Sequence, residues 1–261
     1  MFTDTHVHFE GMIGAGNTLD AIVARAAQAG VSRMMAVGSS VAANKTALAA
    51  ACAYPDIICA AVGYNRDQTA AACPLDELRG LLAAPEAVAV GEIGLDFHHG
   101  GETAPAQIAL FHRMLALARD HQLPVIVHTR EAEAETLSAL REHAAAWPWP
   151  AERIGVMHCY TGSAALARDL LALGFMISFS GIITFRNAAA VRTVAAMVPE
   201  DRLLIETDSP YLAPEPFRGQ PNEPARVRRV AEALAELRHT SWEAIAELTA
   251  RNAEKLFFKQ D

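Results

Sequence analysis

Short apolar runs alternate with longer stretches of helical periodicity along nearly the whole chain. The runs predict strands at Phe2–His6, Arg33–Val37, Ile57–Val62, Ala87–Glu92, Pro124–His128, Ile154–His158, Phe175–Ser178 and Leu203–Glu206. Most show no polar alternation, which is the pattern of strands covered on both faces. Helices are predicted between them, over Leu19–Ala29, Ala42–Ala53, Leu75–Leu82, Ala104–His121, Ala132–Ala145, Ala164–Leu173, Ala188–Met197 and Ala225–Leu237, with a last one from about Ser241 to Phe257. Trp147-Pro148-Trp149-Pro150 reads as a rigid loop between a helix and a strand. Strict alternation of this kind predicts an α/β fold, a (β/α)8 TIM barrel, with a doubly wound open sheet as the alternative. At 261 residues the chain suits one such barrel, so residues 1–261 are expected to form a single domain. No internal repeat or long linker interrupts the pattern.

The chemistry lies where the apolar runs stop. Active sites of such barrels form at the C-terminal ends of the strands. Here the first run leads into His6 and His8, the fourth into Glu92 and Asp96, the fifth into His128 and Arg130, the sixth into His158, and the eighth into Glu206 and Asp208. Residues i and i+2 of a strand point the same way, so His6 and His8 can grip one ion. Buried without partners, such groups would be costly, and their recurrence at strand ends points to a shared metal site. One catalytic ion commonly takes three protein ligands. His6, His8, Glu92, His128, His158 and Asp208 therefore suit two divalent ions, with Glu92 as the bridging carboxylate. Imidazoles favour zinc, and the carboxylates also accept magnesium or manganese. His98 and His99 are candidates for the rim, while His112, His121, His143 and His239 read as surface or packing residues.

Composition narrows the class. The net charge of −8 argues against a protein that coats nucleic acid electrostatically, though not against a local basic pocket. No apolar run is long enough to span a bilayer, so no membrane partner is expected. The N-terminus has no signal-peptide pattern. Cys52, Cys59, Cys73 and Cys159 show no Cys-x-x-Cys spacing and read as reduced thiols of a cytoplasmic protein.

Five motifs, Asp4-Thr-His-Val-His8, Gly91-Glu-Ile-Gly-Leu-Asp96, His128-Thr-Arg130-Glu-Ala, His158-Cys-Tyr-Thr-Gly162 and Glu206-Thr-Asp-Ser-Pro-Tyr-Leu-Ala-Pro214, resemble the TatD family of metal-dependent deoxyribonucleases, within the amidohydrolase-like barrels. The resemblance covers nearly the whole chain. It implies that His6, His8, Glu92 and Asp208 hold one ion, and that Glu92, His128 and His158 hold the other. It implies that Asp208 takes the proton of the attacking water, with DNA ends or oligonucleotides as substrate. Arg130 is expected to clamp a phosphate; its competing reading is a salt bridge to Asp96 or Glu131. Asp4, Asp96 and Glu206 are expected to orient ligands, and Arg218 and Asn222 to support the substrate side. Phe217 and Gln220 stand where many members carry His and Lys, which predicts weaker contact with long DNA. A monomer or weak homo-oligomer is expected. The alternative activity is hydrolysis of a small amide, ester or lactone.

Overall fold

Across residues 1–69 and 75–257, the part of the chain that this computed structural model describes, eight parallel strands pair in sequence order. They are β1 (Phe2–Val7), β2 (Val31–Val37), β3 (Ile58–Val62), β4 (Ala87–Asp96), β5 (Val125–Arg130), β6 (Gly155–Met157), β7 (Met176–Phe179) and β8 (Leu203–Ile205). The seam between the first and last strands is closed by a parallel bridge from Val7 to Ser209. The His8 N–H donates to the Ser209 carbonyl at 2.8 Å, and the Asp208 N–H donates to the His6 carbonyl at 3.0 Å. The sheet is therefore a barrel, and the open-sheet alternative is excluded.

The helices α1 (Phe9–Gly14), α2 (Leu19–Gln28), α3 (Val41–Ala53), α4 (Leu75–Leu82), α5 (Ala104–His121), α6 (Glu133–Ala145), α7 (Ala164–Ala172), α8 (Ala189–Met197), α9 (Val227–Arg238) and α10 (Trp242–Phe257) accompany it. Thr18, Ser40 and Ser163 accept the backbone N–H of Ala21, Ala43 and Leu166 and so start α2, α3 and α7. The sequence pattern does not predict α1. It has only six residues, two of them glycine, and no side-chain cap.

Successive residues of a strand face opposite sides, and this alternation builds the site. Ile126, Val156 and Leu204 belong to one buried cluster, with Met35, Val37, Ala61, Ala89 and Met176; Ala253, Leu256 and Phe257 of α10 join it. Two residues further on, the same faces of β5, β6 and β8 carry His128, His158 and Glu206. The layer above the apolar one is therefore polar.

β4 reaches that layer differently. Val90 pairs with Val125 and Ile93 with Val127, so β4 holds one more residue than β5 across this interval. Glu92 lies inside the resulting bulge, a device that re-aims a side chain. Beyond it β4 continues to Asp96, four residues past the predicted end. A side chain at Gly94 (φ +134°) would place its Cβ 2.0 Å from the His128 carbonyl oxygen, so only glycine lets β4 lie this close to β5.

One buried histidine is structural. His143 on α6 accepts a hydrogen bond at its Nδ1 from Arg119 of α5 at 2.9 Å, and it is 0% exposed. Burial, reinforced by the Arg119 charge, holds its imidazole down at about 4. An unfolded His titrates near 6.5, so the unfolded chain binds more protons than the folded one between those values. Stability from this residue is present above pH 6.5 and is lost as the pH falls toward 4, by on the order of 3 kcal/mol. Urea unfolding at stepped pH should show that loss, and a His143→Leu variant should show a flatter profile than the parent over the same window.

Candidate metal centre

Six side chains, on β1, β4 and β5 and just past the ends of β1, β6 and β8, converge at the C-terminal mouth of the barrel. His6 Nε2 lies 3.1 Å from His8 Nε2. Glu92 Oε2 is 3.6 Å from His6 Nε2 and 3.5 Å from His8 Nε2, and Asp208 Oδ1 is 3.8 and 3.5 Å from the same two atoms. A tetrahedron of ligands about 2.1 Å from a divalent ion has edges of about 3.4 Å, so these four donors already stand at coordination spacing. On the other side, Glu92 Oε1 is 3.7 Å from His128 Nδ1 and 3.8 Å from His158 Nε2. The two oxygens of Glu92 thus face two different donor sets.

The outward nitrogens of three of the four imidazoles are held from behind, while His6 Nδ1 is buried without a partner. The Val37 carbonyl lies 3.2 Å from His8 Nδ1, Asp96 Oδ2 3.2 Å from His128 Nε2, and Glu206 Oε1 3.3 Å from His158 Nδ1. Each contact fixes a ring with its other nitrogen aimed into the mouth. Asp4 does the same for the backbone. Its carboxylate accepts from the Thr207 N–H at 2.9 Å, the Thr207 hydroxyl at 2.6 Å and the His6 N–H at 3.3 Å, locking β1 to the segment that carries Asp208.

The electrostatics favour cations. Burial would raise Glu92, yet His158 and His6 hold its carboxyl well below the usual range. Burial likewise opposes ionisation of Asp208, and His8 and His6 override it. Burial also opposes charge on His158, but Glu206 and Glu92 keep that imidazole well above its usual value. His6 is lowered by burial and by His158. The carboxylates therefore stay ionised and draw protons onto neighbouring imidazoles, the place a metal ion would take. The buried His158 Nε2 has no hydrogen-bond partner although it points at Glu92. Such an atom costs free energy unless something accepts its lone pair or its proton. The donor set fits divalent metal on this observation.

Other candidates fall into place unevenly. Asn222 is buried, donates from Nδ2 to the Thr207 carbonyl at 2.9 Å, and so braces the Asp208 turn. The Arg218 guanidinium lies 3.6 Å over the Phe185 ring. Phe217 is covered by Arg226 at 4.3 Å, and Gln220 accepts from the same arginine at 3.2 Å. Arg130 is exposed and makes neither of the salt bridges weighed for it. Glu131 pairs instead with His98 at 2.6 Å. Asp96 is held by His99 at 3.1 Å and by Arg66 at 3.4 Å. Arg66 escaped the sequence reading because β3 ends in neither His nor a carboxylate. Its signal was an arginine four residues beyond an apolar run. Gln107 was also missed. It grips the backbone N–H of Asp96 at 2.9 Å and its carbonyl at 3.1 Å, and it interrupts the apolar stripe of α5 formed by Leu110, Phe111 and Met114. Cys159 adjoins the centre through its backbone N–H, which donates to Glu206 at 2.6 Å. Cys52, Cys59 and Cys159 are free thiols, and Cys73 lies outside the described residues.

Comparison with known proteins now decides the family. Residues 3–258 match the family model of the TatD related DNases. The chain belongs to that family. TatD relatives span it almost end to end. It is 38% identical over 262 residues to the uncharacterized metal-dependent hydrolase YabD of Bacillus subtilis, covering 98% of this chain and 99% of that one. It is 35% identical over 251 residues to the 3'-5' ssDNA/RNA exonuclease TatD of Erwinia tasmaniensis, covering 91% and 93%. The solved structure of YJJV, a TatD homolog from Escherichia coli k12, superposes with a TM-score of 0.89 at 34% identity, over 99% of this chain and 98% of that one. The protein is a TatD-type, metal-dependent hydrolase. No helix among its described residues is long and apolar enough to cross a membrane.

Proposed function

We propose that this chain, acting as one domain over residues 1–261, hydrolyses phosphodiester bonds at the ends of single-stranded nucleic acid with two divalent ions. The observation that carries this reading is the split of Glu92, whose two oxygens face His6, His8 and Asp208 on one side and His128 and His158 on the other. His6, His8, Asp208 and Glu92 would hold one ion; Glu92, His128 and His158 the second. Such ions, when bound, polarise phosphoryl oxygens and acidify water.

The remaining work falls to the chain's own groups. Asp208 stays ionised beside the first donor set and accepts the proton of the attacking water through its carboxylate. Asp96, Glu206 and Val37 keep His128, His158 and His8 in register while charge builds on the substrate. Arg130 has an exposed guanidinium with no partner among the described residues, at the end of the strand that bears His128, and offers its planar fork to a phosphate oxygen. Magnesium, manganese and zinc are all compatible with this donor set.

Incubation with single-stranded oligonucleotides and with small esters, each with added magnesium, manganese or zinc, tests the reading. Stepwise shortening of the oligonucleotide from one end, abolished by a chelator, is the expected result. Turnover of an ester or lactone without any nuclease activity would overturn it in favour of an amidohydrolase-type reaction.

A further inference from the structure

The mouth of the barrel has two chemically different sides. Across the described residues the exposed large apolar side chains are Met1, Ile13 (39% exposed) and Tyr211 (57%). Of these, Tyr211 stands at the seam where β1 meets the segment after β8. Ile13 lies on α1, which follows His8 directly. Tyr211 lies three residues after Asp208, with its ring centroid 5.8 Å from that of His8 in an edge-on arrangement. On the opposite side, at the ends of β3, β4 and β5, stand Arg66, His98, His99 and Arg130. One side offers the Tyr211 ring, and the other two arginines: Arg66, paired with Asp96 at 3.4 Å, and the exposed Arg130.

Tyr211 is set on fixed backbone. The Tyr211 N–H donates to the Asp208 carbonyl at 2.9 Å, and the Asn222 N–H donates to the Pro210 carbonyl at 2.9 Å. A Cβ at Gly11 would lie 3.2 Å from Pro210, so α1 rests directly against this turn. A single exposed apolar residue needs no explanation by itself. A tyrosine held against a metal centre's candidate donor set, with more than half of its surface open to solvent, is different. Divalent ions bound there would engage phosphate, which every diester offers. Telling a nucleic-acid end from another phosphate ester requires a contact with the base. Tyrosine makes that contact at low entropic cost because only two side-chain torsions are fixed, and stacking accepts any base.

We propose that Tyr211 is the stacking platform for the terminal base of a single-stranded substrate, with the adjoining phosphates directed toward Arg66 and Arg130 across the mouth. The proposal rests on the nuclease reading and specifies how that site selects its substrate.

The test uses the metal-loaded enzyme and two single-stranded oligonucleotides. One carries 2-aminopurine as the base at the end being degraded; the other has an abasic sugar there. With the parent enzyme, stopped-flow mixing should quench the 2-aminopurine before product forms, and the abasic end should raise KM by about tenfold, the size expected for one stacked base. Tyr211→Ser should lose the quench and bring the two KM values together, Tyr211→Leu should repeat that loss, and Tyr211→Phe should behave as the parent. Equal KM values in the parent, or an unchanged quench and KM ratio in Tyr211→Ser, would overturn the platform while leaving the nuclease reading intact. A parent enzyme that turns over small esters but no oligonucleotide would overturn both.

Discussion

Replacing Asp208 by Asn is expected to lower kcat by about 10³- to 10⁴-fold, the upper range for loss of a proton acceptor, while bound metal stays close to the parental content. The two halves of that expectation rest on separate observations. His6, His8 and Glu92 Oε2 remain as three donors spaced 3.1 to 3.6 Å apart, enough to retain an ion. The backbone also tolerates the change. Asp208 sits at φ +59°, in the left-handed region where Asn and Asp are the best accepted side chains after glycine. Alanine there would add strain to the loss of the carboxylate and blur the result. Turnover and metal content by mass spectrometry, measured on the same preparation, decide it. Near-parental kcat would remove Asp208 from proton transfer.

Glu92→Gln should act on the other half of the chemistry. Its carboxylate faces all four imidazoles, through Oε2 to His6 and His8 and through Oε1 to His128 and His158. An amide keeps the volume but loses the charge, and one of its two heads becomes a donor facing histidine nitrogens. If two ions act together as proposed, the expected result is at most one tightly held ion per chain and a loss of turnover of about 10³-fold or more. Titration calorimetry with manganese would read the stoichiometry without reference to activity. Two ions bound with parental affinity would show that Glu92 does not join the two donor sets. Asp208→Asn and Glu92→Gln are therefore distinguishable, because one lowers rate at constant metal and the other lowers both.

The barrel was legible because its strands are continuous apolar runs and its helices carry periodic apolar stripes. The six candidate donors that meet at the mouth could be picked out because a histidine or carboxylate ending a buried run contradicts its surroundings. What escaped depends on geometry that no local pattern encodes. The aim of Glu92 comes from one extra residue in β4 relative to β5, visible only once the strands are paired. Arg66 and Gln107 act through Asp96 from elements that carry no ligand, so nothing at their own positions distinguishes them from ordinary polar residues. The stacking of Arg218 on Phe185 at 3.6 Å joins two loops far apart in sequence, so no local pattern shows it. α1 escaped because six residues are too few to display a period.

The seam of the barrel gives the donor set a second meaning. β1 and the segment after β8 are joined through the backbones of His6, His8, Asp208 and Ser209, so ring closure and assembly of the first donor set are one event. An unfolded chain keeps these donors about two hundred residues apart along the backbone and cannot present them together. Any cation bound there adds its affinity to the folding equilibrium by mass action. An ion held by His6, His8 and Asp208 would work as a clasp between the two ends of the sheet, and its removal by a chelator would loosen the fold at that seam.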